Sequence, residues 1–230
     1  MRAVFETSFY YLYLLFILAL GTFLLIKSKK NKKYTLFALG CLLLGFGDAF
    51  HLIPRAIGLY TKTLDNPSKD LATYLGVGKL ITSITMTFFY LFLYLFIYER
   101  IGKKRNQFID LGVIALIITR LVLCALPDNK WSKNGAGVSI WWPIGRNIPF
   151  VLLGILIIVL CFIYLRKIKY YRFLYLAIIL SFGFYLPVVI WASEYSWVGM
   201  LMLPKTICYI AIAIMGYIDY RKDKLNLEEK

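Results

Sequence analysis

Histidine is almost missing from this chain: His51 is the only one in 230 residues. A metal site built from several histidines is therefore excluded. Cysteine is scarce and scattered. Cys41, Cys124, Cys161 and Cys208 all lie inside apolar runs with no C-x-x-C pair, so neither a disulfide framework nor a zinc site is indicated. Acidic residues number 12 against 27 lysines and arginines, a formal net charge of +15. Charge of either sign is thin, at 17% of residues, too little to cover the outside of a soluble globule of this length.

What the chain has instead is apolar length. Hydrophobic residues make up 60% of it, against the roughly 45–50% usual in soluble domains, and the mean hydropathy is +0.71. Lipid is the solvent such a surface fits. Seven runs approach the ~20 apolar residues that a spanning helix needs, and they predict helices over 7–26, 34–56, 73–98, 107–126, 146–165, 172–192 and 198–219. The runs are long and do not alternate, which excludes a β-barrel reading. Gly45, Gly47, Pro54, Gly154, Pro187 and Pro204 fall within them, where neighbouring helices satisfy any freed backbone group. No internal repeat or low-complexity segment divides the chain, so residues 1–230 are expected to form one all-α, seven-helix transmembrane domain. The first run is followed by Lys27, Lys29, Lys30, Lys32 and Lys33. A cleaved signal peptide carries its positive charge in front of the apolar stretch, so a retained anchor is expected.

Orientation follows from the loops. Seventeen of the 27 basic residues fall on one side, in 27–33, 100–105, 166–172 and 221–230. The other side, helix ends included, has seven: Arg2, Arg55, Lys62, Lys69, Lys130, Lys133 and Arg146. Cytoplasmic loops hold the excess of Lys and Arg, which places the N-terminus outside and the C-terminus in the cytoplasm. All five tryptophans (Trp131, Trp141, Trp142, Trp191, Trp197) fall on the outer side, at headgroup level where indoles accumulate. The basic residues are spread over four short loops without a folded platform, which argues against nucleic acid. Anionic headgroups of the inner leaflet suffice as their partners. Short loops and heavy use of Lys, Ile, Phe and Tyr point to a bacterial plasma membrane.

Three basic residues remain: Lys79, Arg120 and Lys205, each inside a span. An ionisable group at the centre of a spanning helix costs at least ~2.5 kcal/mol on insertion scales, so it is a functional candidate by default. At 1.5 Å per residue, Lys79 and Arg120 lie roughly 10 Å below the outer ends of their helices, Lys205 roughly 12 Å, and Asp48 at a similar depth. Four charges on four helices thus converge on one layer. Asp48, His51 and Arg55 share one helical face at i, i+3, i+7. Lys79, Ser83, Thr87, Tyr90 and Tyr94 form a stripe in the third helix, with Tyr90 and Tyr94 read as packing residues. Lys205 and Tyr209 pair at i, i+4 in the seventh helix, just after Pro204. Arg146, Asn147 and Glu194 sit at the outer mouths of the fifth and sixth. Arg55, Lys79, Arg120, Arg146 and Lys205 are five cations against the two anions Asp48 and Glu194, so one shared cavity needs an anionic guest, solvent ions or uncharged lysines. A purely structural charge network, with Arg55 and Arg146 snorkelling to the interface, is the bland alternative.

An intramembrane lipid hydrolase is the leading expectation. Asp48, alone or with His51, would activate water, and Lys79, Arg120 and Lys205 would hold a phosphate or steady developing negative charge. Arg55, Arg146 and Tyr209 complete the expected ligand-binding set. The segment Gly47-Asp48-Ala49-Phe50-His51-Leu52-Ile53-Pro54-Arg55 resembles the G-D-x-x-L-x-P signature of the lysoplasmalogenase family, small polytopic enzymes that cleave vinyl-ether lipids. That resemblance implies a catalytic role for Asp48. It covers about a dozen residues, and the family's lysine–proline pair and following histidine have no counterpart, although Lys79 lies near where the histidine would fall. Phe50-His51 also resembles a motif of the alkaline ceramidase and progestin-receptor superfamily, whose zinc needs three histidines where this chain has one. Two other classes compete. An opsin-like receptor would use Lys205 as a retinal Schiff base with Asp48 as counter-ion, but Lys79 opposes protonation of that base. A carrier for a small anion or lipid headgroup would use the same cations, yet the polar layer opens only outward and no repeat is present. The expected partners are membrane lipids and an anionic small molecule or headgroup; no cofactor, metal or nucleic acid is called for.

Overall fold

The computed structural model describes residues 2–28, 31–192 and 195–228. Among them seven helices are long and apolar enough to cross a membrane: α1 (Arg2–Lys27), α2 (Lys32–Tyr60), α3 (Lys69–Ile101), α4 (Gln107–Ala125), α5 (Trp141–Leu160), α6 (Leu174–Trp191) and α7 (Met202–Glu228). No strand occurs among the described residues. Local chemistry sets several boundaries. Ser68 accepts from Leu71 N at the start of α3 and Asn106 from Phe108 N at the start of α4. Asp70 and Asp110 sit in those first turns, where the helix dipole favours them. Gly102, in the left-handed conformation at φ 65°, ends α3.

Most helices are longer than the predicted spans. Apolar runs report the part of a helix that can sit in hydrocarbon, whereas capped ends continue into polar sequence. The largest correction is at the C-terminal end. Hydropathy ends the seventh span at 219, but α7 runs to Glu228 and so carries Asp219 and Asp223 on a helix. Pro204 also reads differently. A 3-10 turn, Ser196–Leu201, precedes α7, which places Pro204 in the first turn of the helix, where no N–H is needed. At that position it frees no backbone group for a neighbouring helix to satisfy.

Successive helices run antiparallel, as their contacts require. Tyr13 and Arg55 in α1 and α2 reach Asp48 and Tyr10 respectively, Tyr94 in α3 reaches Asp110 in α4, and Phe162, just past the end of α5, packs on Tyr175 in α6. One end of the bundle therefore collects the tryptophans and the other the basic connections. The α2–α3 pair is the most extensive contact, with α1 on the far side of α2. Glycine permits this closeness: a Cβ on Gly78 would collide with the Phe50 carbonyl and lie 2.9 Å from His51 Cα. Thr82 Oγ1 then donates to Gly47 O at 2.9 Å. Small residues and hydroxyls are the usual means of joining helices where lipid removes the hydrophobic drive. Gly78→Ala is expected to cost about 1–3 kcal/mol of stability, because backbone must shift. Gly112→Ala, facing open space, is the control and should leave the unfolding temperature in detergent unchanged.

At the basic end a second buried polar group holds the bundle. Asp219 on α7 is fully buried. It receives both Arg100 Nε and Nη2 at 2.8 Å, Tyr34 Oη at 3.0 Å and Tyr171 Oη at 3.2 Å. Four donors from three other elements meet one carboxylate, and Phe37–Phe96 and Phe96–Tyr171 ring contacts pack around it.

Candidate functional site

The charged residues of the tryptophan end gather as the spacing predicts. Asp48 lies within electrostatic reach of Lys205; His51 of Lys79, Arg55 and Lys205; Lys79 of Arg146 and Arg55; and Arg146 of Arg120. Tyr209 senses Asp48. All eight expected site residues thus belong to one connected group on α2, α3, α4, α5 and α7. They do not occupy one thin layer. Counted from the ends of the observed helices, Asp48 lies roughly 18 Å deep, Lys79 roughly 15 Å and Arg120 roughly 8 Å.

Asp48 is buried, and its Oδ2 accepts from Tyr13 Oη at 2.7 Å. The i, i+3 spacing puts His51 nearby, but no hydrogen bond joins the two among the described residues, and His51 Nδ1 has no partner there. The expected Asp48–His51 pair is therefore not formed: Tyr13, reaching across from α1, holds the carboxylate in its place. Lys205 is also buried. Its ammonium stands over the Tyr185 ring at 4.6 Å and the Tyr209 ring at 5.4 Å, with no carboxylate inside ion-pair distance among the described residues.

Lys79 lies ten residues into α3, and the residue is exposed. It makes no ion pair among the described residues, and its charged neighbours Arg55 and Arg146 are both cations. Ser83 and Thr87 below it spend their hydroxyls on the carbonyls one turn back. Tyr90 and Tyr94 are packing residues. Tyr90 Oη lies beside Ser181 and Tyr209 without a hydrogen bond of good geometry, and Tyr94 bonds Asp110 towards the basic end.

Arg120 and Arg146 form a joined unit. Arg120 Nη1 donates to the Arg146 carbonyl, and its guanidinium stands 5.3 Å from the Phe150 ring centre. Arg146 Nη1 donates to Asn129 Oδ1 at 2.5 Å and lies 4.3 Å over Trp131. Asn129 is itself fixed, its Nδ2 giving to Leu123 O and Leu126 O at 2.8 Å. Both arginines keep a buried Nε with no partner among the described residues. Asn147 is buried and accepts from Tyr185 Oη at 2.7 Å. Glu194 lies outside the described residues.

Spacing reasoning missed the contribution of α1. Glu6 is buried, accepts from Tyr10 Oη at 3.0 Å and pairs with Arg55 at 3.5 Å. Starting the first span at residue 7 left Glu6 out of the sequence count of anions, and the structure places it in the cluster beside Arg55. The signal was present: Glu6, Tyr10 and Tyr13 recur at i, i+4, i+7, one face of a helix. Beneath the charges, Phe89, Tyr90, Phe150, Phe182 and Tyr209 interlock at 5.2–5.9 Å as an aromatic floor towards the basic end.

Among the described residues no group of three or more His, Cys, Asp or Glu is placed to hold a metal. No family model, curated protein or solved structure matches the chain.

Proposed function

We propose that this chain is a multi-pass protein of the bacterial plasma membrane, tryptophan end outward and basic end in the cytoplasm, that binds an anionic, lipid-derived molecule from the outer leaflet and hydrolyses it. The membrane reading is supported by apolar side chains on the outside of the bundle. On α4 alone Phe108, Leu111, Ile114, Ile118 and Val122 are each more than half exposed, far more apolar surface than a soluble monomer shows.

The binding reading is carried by one observation: Lys79, exposed on α3, has Arg55 and Arg146 as its electrostatic neighbours and no acid paired to it among the described residues. Cations kept together at that depth are stabilised by an anion, and a phosphate suits them because guanidinium forks and ammonium groups bond its oxygens directly. Apolar surroundings favour a guest with a hydrocarbon part. Hydrolysis is the reaction these residues serve best. Asp48 takes the proton of an attacking water, and Lys205 and Lys79 offset the negative charge that develops.

Native mass spectrometry of the purified protein tests the binding reading. A bound anionic amphiphile is expected on the wild type, with retention lowered about tenfold in Lys79→Ala, the scale of one charge-assisted hydrogen bond. Lys79 has no ion-pair partner to lose among the described residues, so the variant should stay folded. Equal retention in both proteins, or nothing retained when lipid extract is supplied, would return the cluster to a structural network.

A further inference from the structure

The basic end has a feature that the outward site does not use. α5 widens at its end into one π turn, Cys161–Leu165, closed by Arg166 N to Cys161 O at 2.9 Å. A single 3-10 turn, Lys169–Tyr171, then leads to α6. This short connection borders a groove of about 650 Å³ lined by Phe162, Ile163, Arg166, Lys167, Lys169 and Arg172. Four of the six are cations and none is an acid.

Several other cations at this end are neutralised within the protein. Lys32 pairs with Glu99, Lys33 with Asp223, Arg100 with Asp219 and Arg105 with Asp110. The four groove cations have no ion pair among the described residues. Two of them stand over aromatic rings. Arg166 lies over the Phe162 ring at 4.8 Å and Arg172 over the Phe173 ring at 5.6 Å. Tyr171, between Lys169 and Arg172, is fully buried and tied to Asp219, which anchors the turn. Phe162, Ile163 and Phe173 are each about half exposed beside the charges.

We propose that this groove is a binding site for an anionic phospholipid of the inner leaflet whose headgroup carries two phosphates. Two arginine forks, each with a lysine beside it, match two phosphates better than one, and basic pockets on the cytoplasmic face of helical membrane proteins take such headgroups. The exposed Phe162, Ile163 and Phe173 lie where the acyl chains of that lipid would run, a use that a free phosphate would not have for them. The inference rests on the membrane reading above but not on the outward site.

The test offers detergent-purified protein an equal mixture of diphosphatidylglycerol, phosphatidylglycerol and phosphatidylcholine and counts adducts by native mass spectrometry. Diphosphatidylglycerol is expected to dominate. Arg166→Gln with Arg172→Gln should lower its retention about thirtyfold, since each basic residue near an anionic surface contributes ~1 kcal/mol. Lys104→Gln with Lys222→Gln removes the same charge from exposed sites at the same end and should change it less than threefold. Equal retention of the three lipids, an equal loss in the control, or full displacement by millimolar inorganic phosphate would overturn the groove as a lipid site. A protein that stays monomeric in water without detergent would instead overturn the membrane reading itself.

Discussion

Arg100→Ala is expected to lower the stability of the folded protein by about 3 kcal/mol, read as a fall in unfolding temperature in detergent. Removing one partner of a buried ion pair leaves a charge without compensation, which typically costs about 3–5 kcal/mol. Asp219 is the partner left behind, fully enclosed and, among the described residues, with Tyr34 and Tyr171 as its remaining donors. The lower end of the range applies because Arg100 keeps 20% of its side chain exposed, so water can follow where the guanidinium was. The reciprocal change should cost less. In Asp219→Asn the amide oxygen still accepts from the tyrosines, and Arg100 retains Asp223 at 3.9 Å together with its access to water. Arg100→Lys should fall between wild type and alanine, because an ammonium cannot reproduce the two-pronged contact. An Asp219→Asn protein less stable than Arg100→Ala would mean that the carboxylate, not the pair, holds α7 to α3.

That clamp was invisible in the sequence. Arg100 read as one more cytoplasmic cation, and Asp219 fell at the last residue of a hydropathy span, so neither looked buried. Their pairing crosses 119 positions, and local patterns of charge and period report only what lies within a turn or two along one helix. The seven helices were legible for the opposite reason. Each is an autonomous run of apolar residues, and composition alone marks it. The helix ends were less so, because hydropathy stops where lipid would stop, while capping and tertiary pairing carry α3 back to Lys69 and α7 on to Glu228.

The site shows the same division. Asp48, His51 and Arg55 were placed together by their period, and Lys79, Arg120 and Lys205 by the cost of a charge in an apolar run; the structure joins them. The connections were not legible. Tyr13 binds Asp48 from another helix, Trp131 and Asn129 hold Arg146 from a loop, and Tyr185 sits under Lys205. None of these partners is charged, so a search for stranded ionisable groups passes over them. Glu6 is the exception: it is charged and in register with Tyr10 and Tyr13, and only an early helix boundary hid it.

The second large effect concerns Asp48. If the site at the tryptophan end is a hydrolase, Asp48→Asn should lower turnover by 10²–10⁴-fold, the range that a positioned general base contributes. Binding should persist, because the amide still accepts from Tyr13 and the cations around it are unchanged. Losing the carboxylate leaves the buried Lys205 without its nearest anion, so a modest loss of stability is expected too. Asp48→Asn combined with Lys205→Met removes both charges and should recover that stability without recovering turnover. The readout is native mass spectrometry of wild type and Asp48→Asn purified side by side. An intact anionic lipid on the variant, with fragments or an empty site on the wild type, supports water activation at Asp48. The same intact species on both proteins makes the site a binder, and the receptor and carrier readings then take precedence. They separate on retinal: colour formed on adding it and lost in Lys205→Ala is the mark of a receptor, because only a Schiff-base lysine is indispensable to it.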